Sequence, residues 1–195
     1  MSEMSQKIGV SFAVEGTAAD DVVQLNTAIA GSFGSQVRFG PDGNSQPHVT
    51  IALGEAGQNA LAHVITLVEK TARTTEPFLM AFGPVARETV TGRYLLADVY
   101  LPGPIRQWRS ALRARIADHL SGLGRTTDEP HLTVAVVEDH DTAVDQLLSR
   151  ADQRIADCRA THIDVAHAGP RGTKGTIIRR FTLGDEAAGV WPHRM

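Results

Sequence analysis

The sequence predicts an α+β fold of two similar lobes around a central cleft, and three observations carry that prediction. Short runs alternate apolar and polar residues at period two, and longer ones repeat at helical spacing, so strands and helices intersperse along the chain. The order of these elements recurs: each half has a helix, a strand, a second helix and a pair of strands that reads as a hairpin. One strand of each half also opens with nearly the same letters, "PHVTIALG" from Pro47 and "PHLTVAVV" from Pro130. Repeated order with little identity outside one motif implies lobes related by an approximate two-fold axis, within one domain spanning 1–195.

Each element has its own warrant. "IGVSFAVEG" (Ile8 to Gly16) alternates small, apolar and polar residues and reads as a first strand. In "DDVVQLNTAIAGSFG", Val22, Val23, Leu25, Ile29 and Phe33 fall near helical spacing, with Asp20 in the capping position. The turn formers of "GPDGNSQ" lead into a strand from His48 to Leu53. "NALAHVITLVEKTART" puts Leu61, Val64, Ile65 and Val68 on one side of a helix. The strands "FLMAFGPV" and "RYLLADVYL" flank the turn-like "ARETVTG", and "PGP" introduces an amphipathic helix, "IRQWRSALRARIADHL". After the second Pro-His strand come a helix near "TAVDQLLSRADQRI" and two closing strands, "THIDVAHAG" and "GTIIRRFTLG".

Composition bounds the function. At 195 residues, 42% hydrophobic and 21% charged, the chain is long enough to bury a real core. No apolar run approaches the roughly 18 residues of a membrane span. The opening segment carries Glu3 and lacks an apolar stretch ending in small residues, which points away from a signal peptide and towards the cytoplasm. Cys158 is the sole cysteine, so neither a disulfide framework nor a cysteine zinc site is available. A net charge of −3 speaks against binding long nucleic acid through bulk electrostatics, and no DNA partner is expected. Small anions or the end of an RNA remain possible partners for a local basic cleft.

A repeated fold would preserve the apolar pattern, but not the polar letters. Residues i and i+2 of a strand share a face, so His48 lies beside Thr50 and His131 beside Thr133. The intervening Val49, Ile51 and Leu53, and Leu132, Val134 and Val136, are expected to form the buried face. If a two-fold relates the lobes, the two pairs face one another across the cleft. Two imidazoles and two hydroxyls around one space suit phosphodiester chemistry. A neutral histidine takes a proton from the attacking oxygen, a protonated one gives a proton to the leaving oxygen, and the hydroxyls hold the phosphate oxygens.

With these motifs the chain resembles the 2H phosphoesterase superfamily, which includes bacterial 2′-5′ RNA ligases and RNA 2′,3′-cyclic phosphodiesterases. The resemblance covers nearly the whole element order, while identity is confined to "HVT" and "HLT". It implies metal-independent hydrolysis of a 2′,3′-cyclic phosphate on a nucleotide or RNA end. His48 and His131 would be the catalytic pair and Thr50 and Thr133 the phosphate-binding hydroxyls, with no cofactor. The strand "VSFAVEG" resembles the first strand of that family, where an aromatic often borders the site, and Phe12 matches it. The RNA-specific branch commonly has an arginine shortly after the second motif, where this chain has Val136, and here Gly54 follows the first motif one residue sooner.

Other residues carry weaker signals. Arg93 and Tyr94 open a strand and are candidates for the cleft border. "GPRGTKGT" lacks the Gly-Lys-Ser/Thr ending and the following helix of a phosphate loop, so it reads as a hairpin turn from which Arg171 or Lys174 swings towards a phosphate. Arg106, Arg109 and Arg113 form one helical stripe, read as a solvated face or an RNA-tail contact. His63 and His119 read as packing or helix-end partners. His162 and His167 point to opposite faces, so no metal site is expected. A binding module holding a nucleotide in the same cleft, or ligase-type activity, are the alternatives, and a monomer is expected.

Overall fold

The computed structural model describes residues 5–122, 129–138, 142–150 and 154–185, whose strands form one antiparallel sheet. In chain order the elements are β1 (Gln6–Ala13), α1 (Thr17–Phe33), β2 (His48–Ala56), α2 (Gln58–Arg73), β3 (Phe78–Arg87) and β4 (Tyr94–Tyr100). Then follow α3 (Gly103–Ala117), β5 (His131–Val136), α4 (Thr142–Arg150), β6 (Cys158–Ala160), β7 (His162–Ala168) and β8 (Lys174–Thr182). The strand order is β6-β3-β4-β5-β2-β1-β7-β8, so the two Pro-His strands are neighbours at the centre. They meet at one pair, Val49 with Leu132.

The repeat is real, but its units exchange strands. Strand β4 stands to β5 as β1 stands to β2: Asp98 faces His131, and Ala13 faces His48. The bond from Val99 N to the Pro130 carbonyl has its counterpart from Val14 N to the Pro47 carbonyl. Each unit is therefore β-α-β-α-β, β1 to β3 in the first and β4, α3, β5, α4 and β7 in the second, where the short edge strand β6 precedes β7. The third strand of each docks on the first strand of the other, β3 on β4 and β7 on β1. Helices exchange too, since α1 packs on β5 and α3 on β2. The hairpins β3–β4 and β7–β8 are present as the sequence predicts.

Both central strands carry a bulge at the same place. Val10 faces Ala52 and Ser11 faces Thr50, so Ile51 is an extra residue; Leu95 faces Ala135 and Leu96 faces Thr133, so Val134 is another. A bulge sends two successive side chains towards one face. On that face, already filled by Ile51 or Val134, the second residue is alanine both times, and Ala52 and Ala135 have no solvent exposure. This accounts for the alanine shared at the sixth position of the motif. It also corrects the expected alternation. After the bulge Leu53 turns to the His48 face, opposite Gly9, and Val136 to that of Tyr94.

The opposite face of the sheet holds the core, with Ile8, Val10, Phe12, Val49, Ile51, Leu132 and Val134 under the helices. Helix α1 starts at Thr17, earlier than expected. Its N-cap is Gly16, whose φ of 63° favours glycine, so Asp20 lies in the first turn and favours the helix dipole without capping. The short edge strand β6, which pairs with β3, carries too few residues to show a period in the sequence. Residues 151–153, the expected end of the fourth helix, lie outside the described residues. No helix among the described residues is long and apolar enough to cross a membrane.

Candidate functional site

The register at the centre of the sheet assembles the site. Antiparallel pairing around Val49 and Leu132 places His48 opposite Thr133 and Thr50 opposite His131, all four on one face. The two histidines are then diagonal neighbours, about 7–8 Å apart across such a ladder. All four side chains are partly buried.

The prolines explain the ring orientations. A proline holds its own φ and biases the preceding residue towards extended backbone. In both motifs that preceding residue turns its carbonyl to the histidine: Gln46 O lies 2.7 Å from His48 Nδ1, and Glu129 O lies 3.2 Å from His131 Nδ1. A carbonyl only accepts, so Nδ1 carries the proton and Nε2 is the basic nitrogen of the neutral ring.

Burial disfavours the charged imidazole at both positions. His48 is pushed down to about 4 by burial, with Lys174 and His131 adding to the shift and the Gln46 and Gly172 backbone opposing it. His131 is also lowered, by burial and then by Arg109, while Glu129 O and the Asp98 carboxylate work against the shift. Both histidines are therefore neutral at pH 7 before an anion arrives. The environments differ: Lys174 sits near His48, whereas His131 has the Arg109 cation and also a carboxylate, Asp98, across the strand.

A small cavity beside His48 is lined by Thr50, Ser11, Leu53, Gly172 and Lys174. Lys174 does not swing on a flexible turn as the sequence suggested. It is 4% exposed, and its ammonium bonds Asp164, which has no exposure at all. Arg180 grips the same carboxylate with Nε and Nη2, each at 2.8 Å, and reaches Glu15 with Nη1 at 2.8 Å. His162 Nδ1 completes the chain, 3.0 Å from Glu15 Oε2. Surrounding cations hold Asp164 below the usual carboxylate range despite its burial, and burial lowers Lys174.

Other expectations need correction. Phe12 does not border the cleft: it pairs with Val49 on the opposite face, has no exposure, stacks on Trp108 at 5.8 Å and meets Phe78 edge-on at 5.1 Å. The polar face of β1 presents Ser11, which faces both Thr50 and Asp164. Arg109 is no member of a solvated stripe. With Leu112 and Ile116 it forms the buried face of α3, and its Nη2 donates to the Thr50 carbonyl at 2.9 Å. Arg171 holds a left-handed backbone (φ 60°), and its Nε donates to Gln36 Oε1 at 2.8 Å. Tyr94 shares the face of Leu96 and Asp98, whereas Arg93 is exposed just before β4. His63 is exposed and stacks on His119 at 5.4 Å in a groove between α2 and α3, away from these residues. Among the described residues, no three His, Cys, Asp or Glu side chains converge as metal ligands.

Ser11 and Asp164 were missed, although their alternation with apolar neighbours ("VSF", "IDV") was a signal that they share a polar face.

Comparison with known proteins agrees with this architecture. A sequence model of the 2′-5′ RNA ligase superfamily matches residues 15–169, which include both Pro-His strands. No curated protein matches the sequence. The structure of E. coli LigT in apo form superposes with a TM-score of 0.64 at 15% identity, covering 92% of this chain and 98% of that one. TT0787 of Thermus thermophilus gives a TM-score of 0.61 at 17% identity, over 92% and 99% of the two chains. E. coli LigT complexed with 3′-AMP gives 0.60 at 16% identity, over 92% and 99%.

Proposed function

The chain belongs to the 2′-5′ RNA ligase superfamily of 2H phosphoesterases, and from that premise we propose that it hydrolyses a 2′,3′-cyclic phosphate on a nucleotide or RNA end. The observation that carries the reading is the register at Val49 and Leu132, which sets two histidines and two threonines on one face of the central strands. The complex of LigT with 3′-AMP supports a nucleotide phosphate as ligand.

The chemistry divides along the asymmetry of the site. His48 lies beside a buried cation and is pushed down to about 4, so it is the neutral base that takes a proton from water. The water oxygen bonds to phosphorus and the bond from phosphorus to one ribose oxygen breaks. His131, the only one of the two with a carboxylate (Asp98) across its strand, donates to that leaving oxygen. The substrate's negative charge raises both imidazoles on binding, which restores the proton on the acid. Thr50, Thr133 and the Lys174 ammonium hold the charge on the non-bridging oxygens.

Two results test this reading. Turnover of a nucleoside 2′,3′-cyclic phosphate is expected to persist in excess EDTA; loss on chelation, restored by a divalent ion, would sink it. Thr50→Val or Thr133→Val removes one hydrogen bond to a charged oxygen, about 1.5–3 kcal/mol, and so lowers kcat/KM roughly tenfold to a hundredfold. Steady-state kinetics with a circular dichroism spectrum of each variant checks it. A folded variant with wild-type kinetics counts against the hydroxyl's role.

A further inference from the structure

We propose that Tyr100 is the platform on which the base of the cyclic nucleotide stacks; this deepens the phosphodiesterase reading and rests on it. Tyr100 lies two residues beyond Asp98 on β4, and Asp98 faces His131. Side chains two apart on a strand share a face, so Tyr100 stands on the same face as His131, diagonal to it and about 7–8 Å away. That is the reach of a ribose between a phosphate and its base.

Several features mark this position as built for a flat apolar group. Tyr100 is 54% exposed and Leu79 is 55% exposed, a high figure for large hydrophobic side chains in a folded protein. They share a patch, because Tyr100 faces Ala81 and Leu79 precedes Ala81 by two residues. The Tyr100 ring lies across Gly83, where an added Cβ would meet its hydroxyl at 3.2 Å and Cε2 at 3.4 Å. Glycine at that point lets the ring lie against the strand and leaves its outer face open.

The internal two-fold shows that the openness belongs to one side only. Asp98 and His131 correspond to Ala13 and His48, so the counterpart of Tyr100 is Glu15. Glu15 is closed off by Arg180 at 2.8 Å and His162 at 3.0 Å. One flank of the cleft is thus an ion-paired wall and the other an aromatic shelf. The shelf lies on the side of His131, which protonates the departing ribose oxygen, and since water attacks opposite that oxygen, the ribose and its base lie on that side. Water then enters on the His48 side.

The test compares adenosine 2′,3′-cyclic phosphate with glycerol 1,2-cyclic phosphate, which has no base. For Tyr100→Ala, the ratio of kcat/KM for the adenosine substrate over the glycerol substrate is expected to fall roughly tenfold to a hundredfold, the usual worth of one stacked base. The fall should lie in KM for the adenosine substrate, and Tyr100→Phe and Tyr100→Trp should restore the ratio. An unchanged ratio overturns the proposal. If the wild-type protein turns over neither substrate, the phosphodiesterase reading fails, and calorimetric binding of adenosine 3′-monophosphate to wild type and Tyr100→Ala decides the present one. A roughly tenfold or greater weakening upholds it; equal affinities, or no binding to either, overturn it.

Discussion

His131→Ala is expected to lower turnover of a nucleoside 2′,3′-cyclic phosphate roughly 10²–10⁴-fold, the worth of one positioned proton donor. His48→Ala should lose a similar amount, for the partner reason that no group then takes the proton from water. Both side chains stand on the open face of the sheet, so the variants should fold. A leaving group separates the two roles. A nitrophenyl phosphodiester leaves as a stable phenolate and needs no proton, so it should recover most of the rate in His131→Ala and little in His48→Ala. The reverse pattern would exchange the roles, and equal recovery would remove the division. The pH profile gives a second check. Both imidazoles are lowered in the empty site, so the bell in kcat/KM should have both limbs on the acid side of an ordinary histidine. The profile of kcat should lie higher, because the bound phosphate raises both groups. His63→Ala should leave the bell in place, since His63 stacks on His119 elsewhere.

Asp164→Ala should destabilise the fold by about 3–5 kcal/mol, the usual result of removing one partner from a buried ion pair. The reason is the ammonium left behind. Lys174 is 4% exposed and Asp164 supplies its counter-charge, while Arg180 would lose both bonds to the same carboxylate. Urea unfolding measures the loss. The double change Asp164→Ala with Lys174→Met should regain much of it, because an apolar replacement of a buried pair is often neutral. A double variant no more stable than the single one would show that the charge is not the cause. Catalysis should not return with stability, since the cation beside the phosphate is gone. The sign of the pH dependence follows from the lowered Asp164 carboxyl. Its contribution is fully present above the ordinary aspartate value, near 3.9, and is lost as pH falls through the lower folded value. Asp164→Ala should remove this part of the acid sensitivity.

The order of elements was legible because helix and strand periods are local, and the polar letters of the motifs were written twice. Pairing was not legible to the same degree. The β3–β4 hairpin is local and was legible, but nothing near His162 says that β7 joins β1 of the first unit, since that contact closes over most of the chain. The bulges were hidden for a different reason. "TIALG" reads as continued alternation, and only the partner strand reveals that Ile51 and Ala52 fall on one side. Phe12 was placed at the site by the resemblance of its strand alone, and an aromatic between Ser11 and Ala13 fits either face until the register is known. Arg109 could have been read correctly. It precedes Leu112 and Ile116 at helical spacing, so its position was apolar by pattern and charged only by residue type.

The exchange of third strands bears on how the chain assembles. A lone β-α-β-α-β unit would leave both flanks of its strand pair without a neighbour, and it would carry a third strand with nothing of its own to join. Two such units satisfy one another, as a symmetric homodimer would, and here the turn between Arg87 and Tyr94 makes them one molecule. The β1–β7 and β2–β5 pairings therefore link distant parts of the chain, which makes for slow folding. A chain cut within that turn should still yield two fragments that recombine. Neither fragment alone should hold a structured sheet.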